Sequence, residues 1–220
     1  MIGFRAIHDC LLTAHGRQHW WPASDRFEIM VGAVLVQRTA WRNAEMAVGE
    51  LKRVSLLSPE ALARVPAQSL ESRIRSAGFF RMKARRLSGL ARFVVDEGGL
   101  DLLAAQSTGR LRERLLGLDG IGPETADTML LYAFGRPVVV IDEYLRRLMK
   151  RLDHGSAIPE DAVLRRRVAD EISDAAGLNE LHALVVEHGK QLCKRTPHCR
   201  ACTLRRHCAF ARSNSDSELG

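Results

Sequence analysis

Along most of this 220-residue chain, apolar residues recur every three or four positions. Runs of that kind occupy residues 28–51, 59–65, 87–95, 111–116, 124–134, 144–152, 161–175 and 179–191. Polar residues fill the opposite faces, the pattern of amphipathic helices. Strand-like composition is confined to residues 138–141, too short a stretch to seed a sheet. The expected fold class is therefore all-α. With 46% hydrophobic residues the chain can bury a sizeable core, as one compact unit or two small lobes. No internal repeat or long linker interrupts the pattern, and residues 213–220 read as a short disordered tail.

One interruption is informative. Asp119, Gly120, Ile121 and Gly122 make a tight turn that needs positive φ angles, and Pro123 then opens a new helix. Glu124 follows in its first turn, where a carboxylate favours the helix dipole. Ala126, Met129, Leu130 and Ala133 give that helix its apolar face. Two short helices joined this way present the backbone N–H groups of Gly120, Ile121 and Gly122 to an anion. A phosphate bound there would be held without its sequence being read. Asp142 lies a short way downstream.

Four of the five cysteines follow the spacing Cys193-x5-Cys199-x2-Cys202-x5-Cys208. They can form disulfides, hold a metal ion or hold an iron–sulfur cluster. The start of the chain has no apolar signal segment, which points to a reducing, cytoplasmic setting and away from disulfides. A structural zinc usually shows two Cys-x-x-Cys knuckles, and only Cys199 and Cys202 make one. The wider flanking gaps suit a [4Fe-4S] cluster better, with zinc as the alternative. Cys10 stands apart and reads as a small buried apolar residue.

The same segment concentrates positive charge. Lys190, Lys194, Arg195, Arg200, Arg205, Arg206 and Arg212 lie there without an acidic neighbour, and these seven equal the formal net charge of +7. A thiolate-ligated cluster is anionic and offsets part of that charge. The remainder, with Lys190, Lys194, Arg195 and Arg200 foremost, is either a solvated basic face or a contact surface for nucleic-acid phosphates.

The hairpin, the aspartate and the cysteine loop together resemble the helix-hairpin-helix base-excision DNA glycosylases of the endonuclease III superfamily. The similarity runs from about Phe27 to Cys208. The family hairpin reads Leu-Pro-Gly-Val-Gly-Arg-Lys-Thr-Ala, and here it runs Leu118-Asp-Gly-Ile-Gly-Pro-Glu-Thr-Ala126. The family Val-Asp-Thr-His appears as Ile141-Asp142-Glu143-Tyr144, and His188-Gly189-Lys190 precedes the first cysteine as His-Gly-Arg does. Cys193 has five residues before Cys199 where the family usually has six. The resemblance implies a two-lobed fold. A helical barrel at 27–135 would carry the hairpin, and residues 1–26 with 136–212 would form the cluster lobe, with Asp142 at the cleft. It also implies a monomer, associated with the nucleoid and not with a membrane, acting on double-stranded DNA that contains a damaged base.

The departure that bears on chemistry is Glu124. Bifunctional members carry lysine there, whose amine attacks the sugar C1′ and then breaks the strand. A carboxylate cannot do so, and Lys83, the nearest alternative, sits in a different motif. The resemblance therefore implies a monofunctional glycosylase. Asp142 would stabilise the oxocarbenium-like sugar and orient or deprotonate the attacking water. With Glu124 as a second carboxylate, the site would favour a base already carrying positive charge, such as an N-alkylated purine.

Trp20 and Trp21, followed by Pro22, together with Trp41, make the chain look most like the 3-methyladenine DNA glycosylases of the endonuclease III type. An electron-rich indole attracts a cationic ring, and Tyr144 completes the expected base pocket. Ordinary core packing is the alternative for each tryptophan. Characterised examples of that type lack the cluster cysteines, so the chain combines two patterns. Gln37 matches the family glutamine that fills the gap left by a flipped nucleotide. Phe79 or Phe80 falls in the loop that supplies a wedge between base pairs. Two other functions stay open: an endonuclease III-like enzyme for oxidised or deaminated pyrimidines, and a silent lesion-binding or redox-sensing protein.

Overall fold

The computed structural model describes residues 2–153 and 160–216. Among them the regular elements are all helical: α1 (Phe4–His15), α2 (Arg26–Leu35), α3 (Trp41–Arg53), α4 (Pro59–Arg64), α5 (Ala67–Arg73), α6 (Phe80–Asp96), α7 (Leu100–Ala105), α8 (Thr108–Leu116), α9 (Pro123–Thr128), α10 (Glu143–Leu152), α11 (Asp161–Glu171), α12 (Ala175–Gln191) and α13 (Ala209–Asp216). None is long and apolar enough to cross a membrane.

The chain divides into two compact units. Trp21–Arg136 forms a hairpin unit, and Met1–Trp20 with Pro137–Gly220 forms a cysteine unit. The hairpin unit is built around α2, which packs on α3, α6, α9 and the turn after α9. Its Phe27, Met30, Val31, Val34 and Leu35 are buried with Leu51, Leu87, Leu90 and Met129. Removing that apolar surface from water contributes roughly 25 cal/mol per Å². α2 starts where it does because Asp25 accepts from the Glu28 amide while the buried Glu28 carboxylate accepts from the Ser24 amide and hydroxyl. In the cysteine unit, α12 packs on α1 and α10, and α10 on α13. Phe4, Ile7, Leu11, Leu148, Leu152, Leu181 and Leu184 close that core.

Local chemistry moved several boundaries. The run at 28–51 is two helices, not one, because Arg38 adopts a left-handed φ of 55° and the Thr39 amide turns back to the Val36 carbonyl. The run at 161–175 stops at Glu171, and Asp174 then caps α12 through the Gly177 amide at 2.8 Å. Residues 138–141 form a connector without regular structure, with Val139, Val140 and Ile141 buried. The expected tail begins as helix: α13 carries on through Ser213 to Asp216, with Ala211 buried and the Ser213 hydroxyl donating to the Ala209 carbonyl. Residues 217–220 lie outside the described residues. Beyond Thr128, α9 widens into a π-helical turn at Met129–Ala133, a deformation often found at functional sites.

Candidate functional site

The helix pair of the hairpin is locked by an ion pair that the sequence did not announce. Asp127 is fully buried on α9 and accepts from Arg112 of α8 at 2.7 Å and 3.3 Å. Hydrogen bonding to that carboxylate raises the Arg112 pKa. Between the helices, Gly120 has φ 73°, and a Cβ there would fall 1.8 Å from Arg86 Nε. Glycine is therefore required twice over. Ile121 differs from the expectation of a DNA contact: its side chain is buried and its amide donates to the Leu118 carbonyl at 3.1 Å. Glu124 is exposed in the first turn of α9, where its carbonyl accepts from the Thr128 hydroxyl.

Gln37 is held by the same turn. Its side-chain amide donates to the Gly120 carbonyl and to Thr125 Oγ1, both at 3.0 Å, and its oxygen accepts from Arg86 Nη1 at 2.6 Å. All the polar capacity of one side of this amide is engaged with the hairpin.

The neighbouring tryptophans part company. Trp21 belongs to the hairpin unit and meets Trp41 edge-on at 5.0 Å and Tyr132 at 5.5 Å between centroids. It lies so close to α2 that a Cβ on Gly32 would stand 3.0 Å from Trp21 Cζ2. Tyr132, presented by the π turn, completes a three-ring wall that sequence reading missed. Trp20 belongs to the cysteine unit, with Lys190 Nζ 4.9 Å above its ring and His182 edge-on at 6.2 Å.

Of the two candidate wedges, Phe79 is 59% exposed and sits in the left-handed region at φ 46°, directly after Gly78 at φ 65°. A left-handed non-glycine residue is strained by about 1–2 kcal/mol. The guanidinium groups of Arg75 and Arg81 both lie over the Phe80 ring, at 5.3 and 5.6 Å. Lys83, one turn further on, is fully buried, and its ammonium donates to the Leu35 carbonyl at 2.7 Å and the Ala77 carbonyl at 2.8 Å.

In the cysteine unit, Asp142 is 5% exposed and caps α10, with Oδ1 accepting from the Leu145 amide at 2.7 Å. Its other oxygen is 3.5 Å from His182 Nε2 of α12. Tyr144 follows on α10, packed so tightly on α12 that a Cβ at Gly189 would fall 2.3 Å from Tyr144 Cδ1. Arg147 covers its ring at 4.9 Å. Burial raises the Tyr144 pKa, and the nearby Asp142 adds to it.

All four clustered cysteines line one pocket, with Leu148, Leu152, Leu204 and Phe210 on its walls. None is disulfide-bonded. Burial pushes the Cys202 thiol up to about 11, and Cys193, Cys208 and Cys199 push it the same way. Arg151 Nη1 donates to Cys193 Sγ at 3.1 Å, and Arg147 Nε to the Cys193 carbonyl at 2.8 Å. His188 Nε2 is 3.5 Å from Cys202 Sγ. Among the described residues, no group of three or more His, Cys, Asp or Glu is placed to hold a single metal ion. Lys194, Arg195 and Arg200 are exposed on the loop around this pocket.

Residues 31–173 match a family described as HhH-GPD superfamily base excision DNA repair protein. A Methanocaldococcus jannaschii protein named as a candidate DNA repair glycosylase is 38% identical over 214 residues, 92% of this chain and 94% of that one. Endonuclease III of Thermotoga maritima is 29% identical over 203 residues, covering 89% and 88%. The solved structure of H. pylori 3-methyladenine DNA glycosylase bound to 1,N6-ethenoadenine superposes with a TM-score of 0.77 at 25% identity, covering 86% of this chain and 98% of that one.

Proposed function

This chain belongs to the HhH-GPD superfamily of base excision DNA repair proteins, and we propose that within it the enzyme is a monofunctional glycosylase for alkylated purines such as 3-methyladenine. The carrying observation is the lack of an amine at the hairpin. Residues 118–126 contain no lysine, position 124 is a carboxylate, and the Lys83 ammonium is buried against two carbonyls. Water is then the nucleophile. As the glycosidic bond breaks, its electron pair goes to the departing base, and positive charge builds on the sugar. Asp142 stabilises that charge and takes the proton of the water that adds to C1′. A cationic purine leaves as a neutral base, so no general acid is needed. Trp21, Trp41 and Tyr132 supply the electron-rich wall that favours such a ring, by about 0.5–2 kcal/mol per well-placed cation–π contact. The solved structure of similar fold, H. pylori 3-methyladenine DNA glycosylase bound to 1,N6-ethenoadenine, supports a modified purine as the substrate class.

Cys193, Cys199, Cys202 and Cys208 are assigned to a [4Fe-4S] cluster. One Cys-x-x-Cys knuckle flanked by two five-residue gaps, with all four cysteines lining one pocket, fits a cluster better than zinc. The four thiolates would hold the cluster and so cross-link the loop, on which Lys194, Arg195 and Arg200 are exposed for DNA phosphates. Phe79 is the wedge. The protein acts as a monomer on damaged duplex DNA in the cytoplasm, at the nucleoid. Relatives named endonuclease III favour a second reading, excision of oxidised or deaminated pyrimidines. Base release from methylated, oxidised and deaminated duplexes separates the two: 3-methyladenine release that is lost in Asp142→Asn supports the first, and excision of pyrimidines alone supports the second.

A further inference from the structure

Two DNA-handling elements of the hairpin unit hang from one buried cation. Lys83 lies on the first turn of α6, is fully buried, and divides its ammonium between two carbonyls far apart in sequence. One is that of Leu35, the last residue of α2, two positions before Gln37. The other is that of Ala77, immediately before the left-handed pair Gly78 and Phe79. From this geometry we infer that Lys83 is a positioning residue that fixes the spacing between the Gln37 loop and the Phe79 wedge.

Phe79 has a backbone conformation that a non-glycine residue holds only when its surroundings impose it. The turn before it needs an anchor, and the Lys83 ammonium supplies one at 2.8 Å. Arg86, one turn along α6 from Lys83, extends the brace by holding Gln37 Oε1 and lying against Gly120. The first turns of α6 thus join the wedge, the Gln37 loop and the hairpin turn. A buried cation shared by two buried carbonyls is costly to replace, because either carbonyl left without a donor keeps its full desolvation penalty.

The role of these loops on DNA rests on the glycosylase reading, so the test has one arm that needs no DNA. Lys83→Met keeps the apolar stem and removes both bonds, and Lys83→Gln retains one donor should the methionine variant fail to fold. Hydrogen exchange should speed up together at residues 36–39 and 77–80, with α3 and α8 unchanged. Unchanged exchange at either loop, or a uniform rise across the unit, overturns the inference. In the second arm, 2-aminopurine placed beside the lesion reports unstacking. The folded variant should lose the fluorescence rise and release base from duplex roughly 10²-fold more slowly. Release from a bulged substrate, already unstacked, should stay within about threefold of native, since that substrate bypasses the loops. Native-like unstacking by a variant whose loops have loosened overturns the DNA role. If the native enzyme itself neither unstacks nor excises, the glycosylase reading fails, and the exchange arm still decides the brace.

Discussion

His182 Nε2 stands 3.5 Å from Asp142 Oδ2, on the far side of the carboxylate from the oxygen that caps α10. The aspartate is thereby held in one orientation by a backbone amide and an imidazole, both inside the cysteine unit. Asp142→Asn should keep α10 intact, because asparagine caps a helix as well as aspartate does. It should nonetheless lower single-turnover base release by roughly 10²–10³-fold, the scale for losing one preorganised electrostatic partner. His182→Ala should lower the same rate by about tenfold with DNA affinity unchanged. Equal losses in rate and affinity would place His182 in DNA binding.

Phe79 and Phe80 should separate cleanly. Phe79→Ala removes an exposed ring and should change stability by no more than about 0.5 kcal/mol, while abolishing duplex unstacking. Phe80→Ala removes two cation–π contacts and should cost about 1–2 kcal/mol in denaturant melts. The reverse pattern would make Phe80 the wedge.

Iron and acid-labile sulfide assays should find about four of each per chain, as a [4Fe-4S] cluster requires. Arg151→Met removes the N–H donor to Cys193 Sγ and the clamp on the Lys194 and Arg195 carbonyls. Iron should leave this variant faster under a chelator than it leaves native protein. Stoichiometric zinc in protein purified without oxygen would contradict the assignment.

Lys83 supplies a pH test with a definite sign. Burial, with Arg86 adding, lowers its pKa to about 8 from 10.5. Between those values the unfolded chain holds more protons than the folded one, so folding stability rises with pH across the window. The penalty for the buried charge is fully present below about pH 8 and gone above about 10.5. Denaturant melts of native protein minus those of Lys83→Met should show this upward slope; a flat difference would mean that the ammonium keeps its ordinary pKa.

What was legible in the sequence was local. The glycines and Pro123 of the hairpin, the cysteine spacing and the helical periodicity each depend on residues a few positions apart. Contacts between distant segments leave no period. Tyr132 reads as one more apolar position on α9 until a π turn carries it to Trp21, and His182 reads as a polar residue on α12. Arg112 with Asp127, and Arg151 with Cys193, look like surface charge until the fold brings them together. Gln37 was identifiable only by its match to the family glutamine, and its three bonds to the hairpin and Arg86 depend on α6 packing beside α2. Ile121 was placed correctly in the turn, and only burial shows its side chain facing inward.

The most direct test combines base release with borohydride trapping on duplex DNA containing 3-methyladenine. Release of the free base, an intact abasic strand and no covalent protein–DNA adduct are expected. A trapped adduct with strand cleavage would show an amine attacking C1′, and would contradict hydrolysis by water at Asp142.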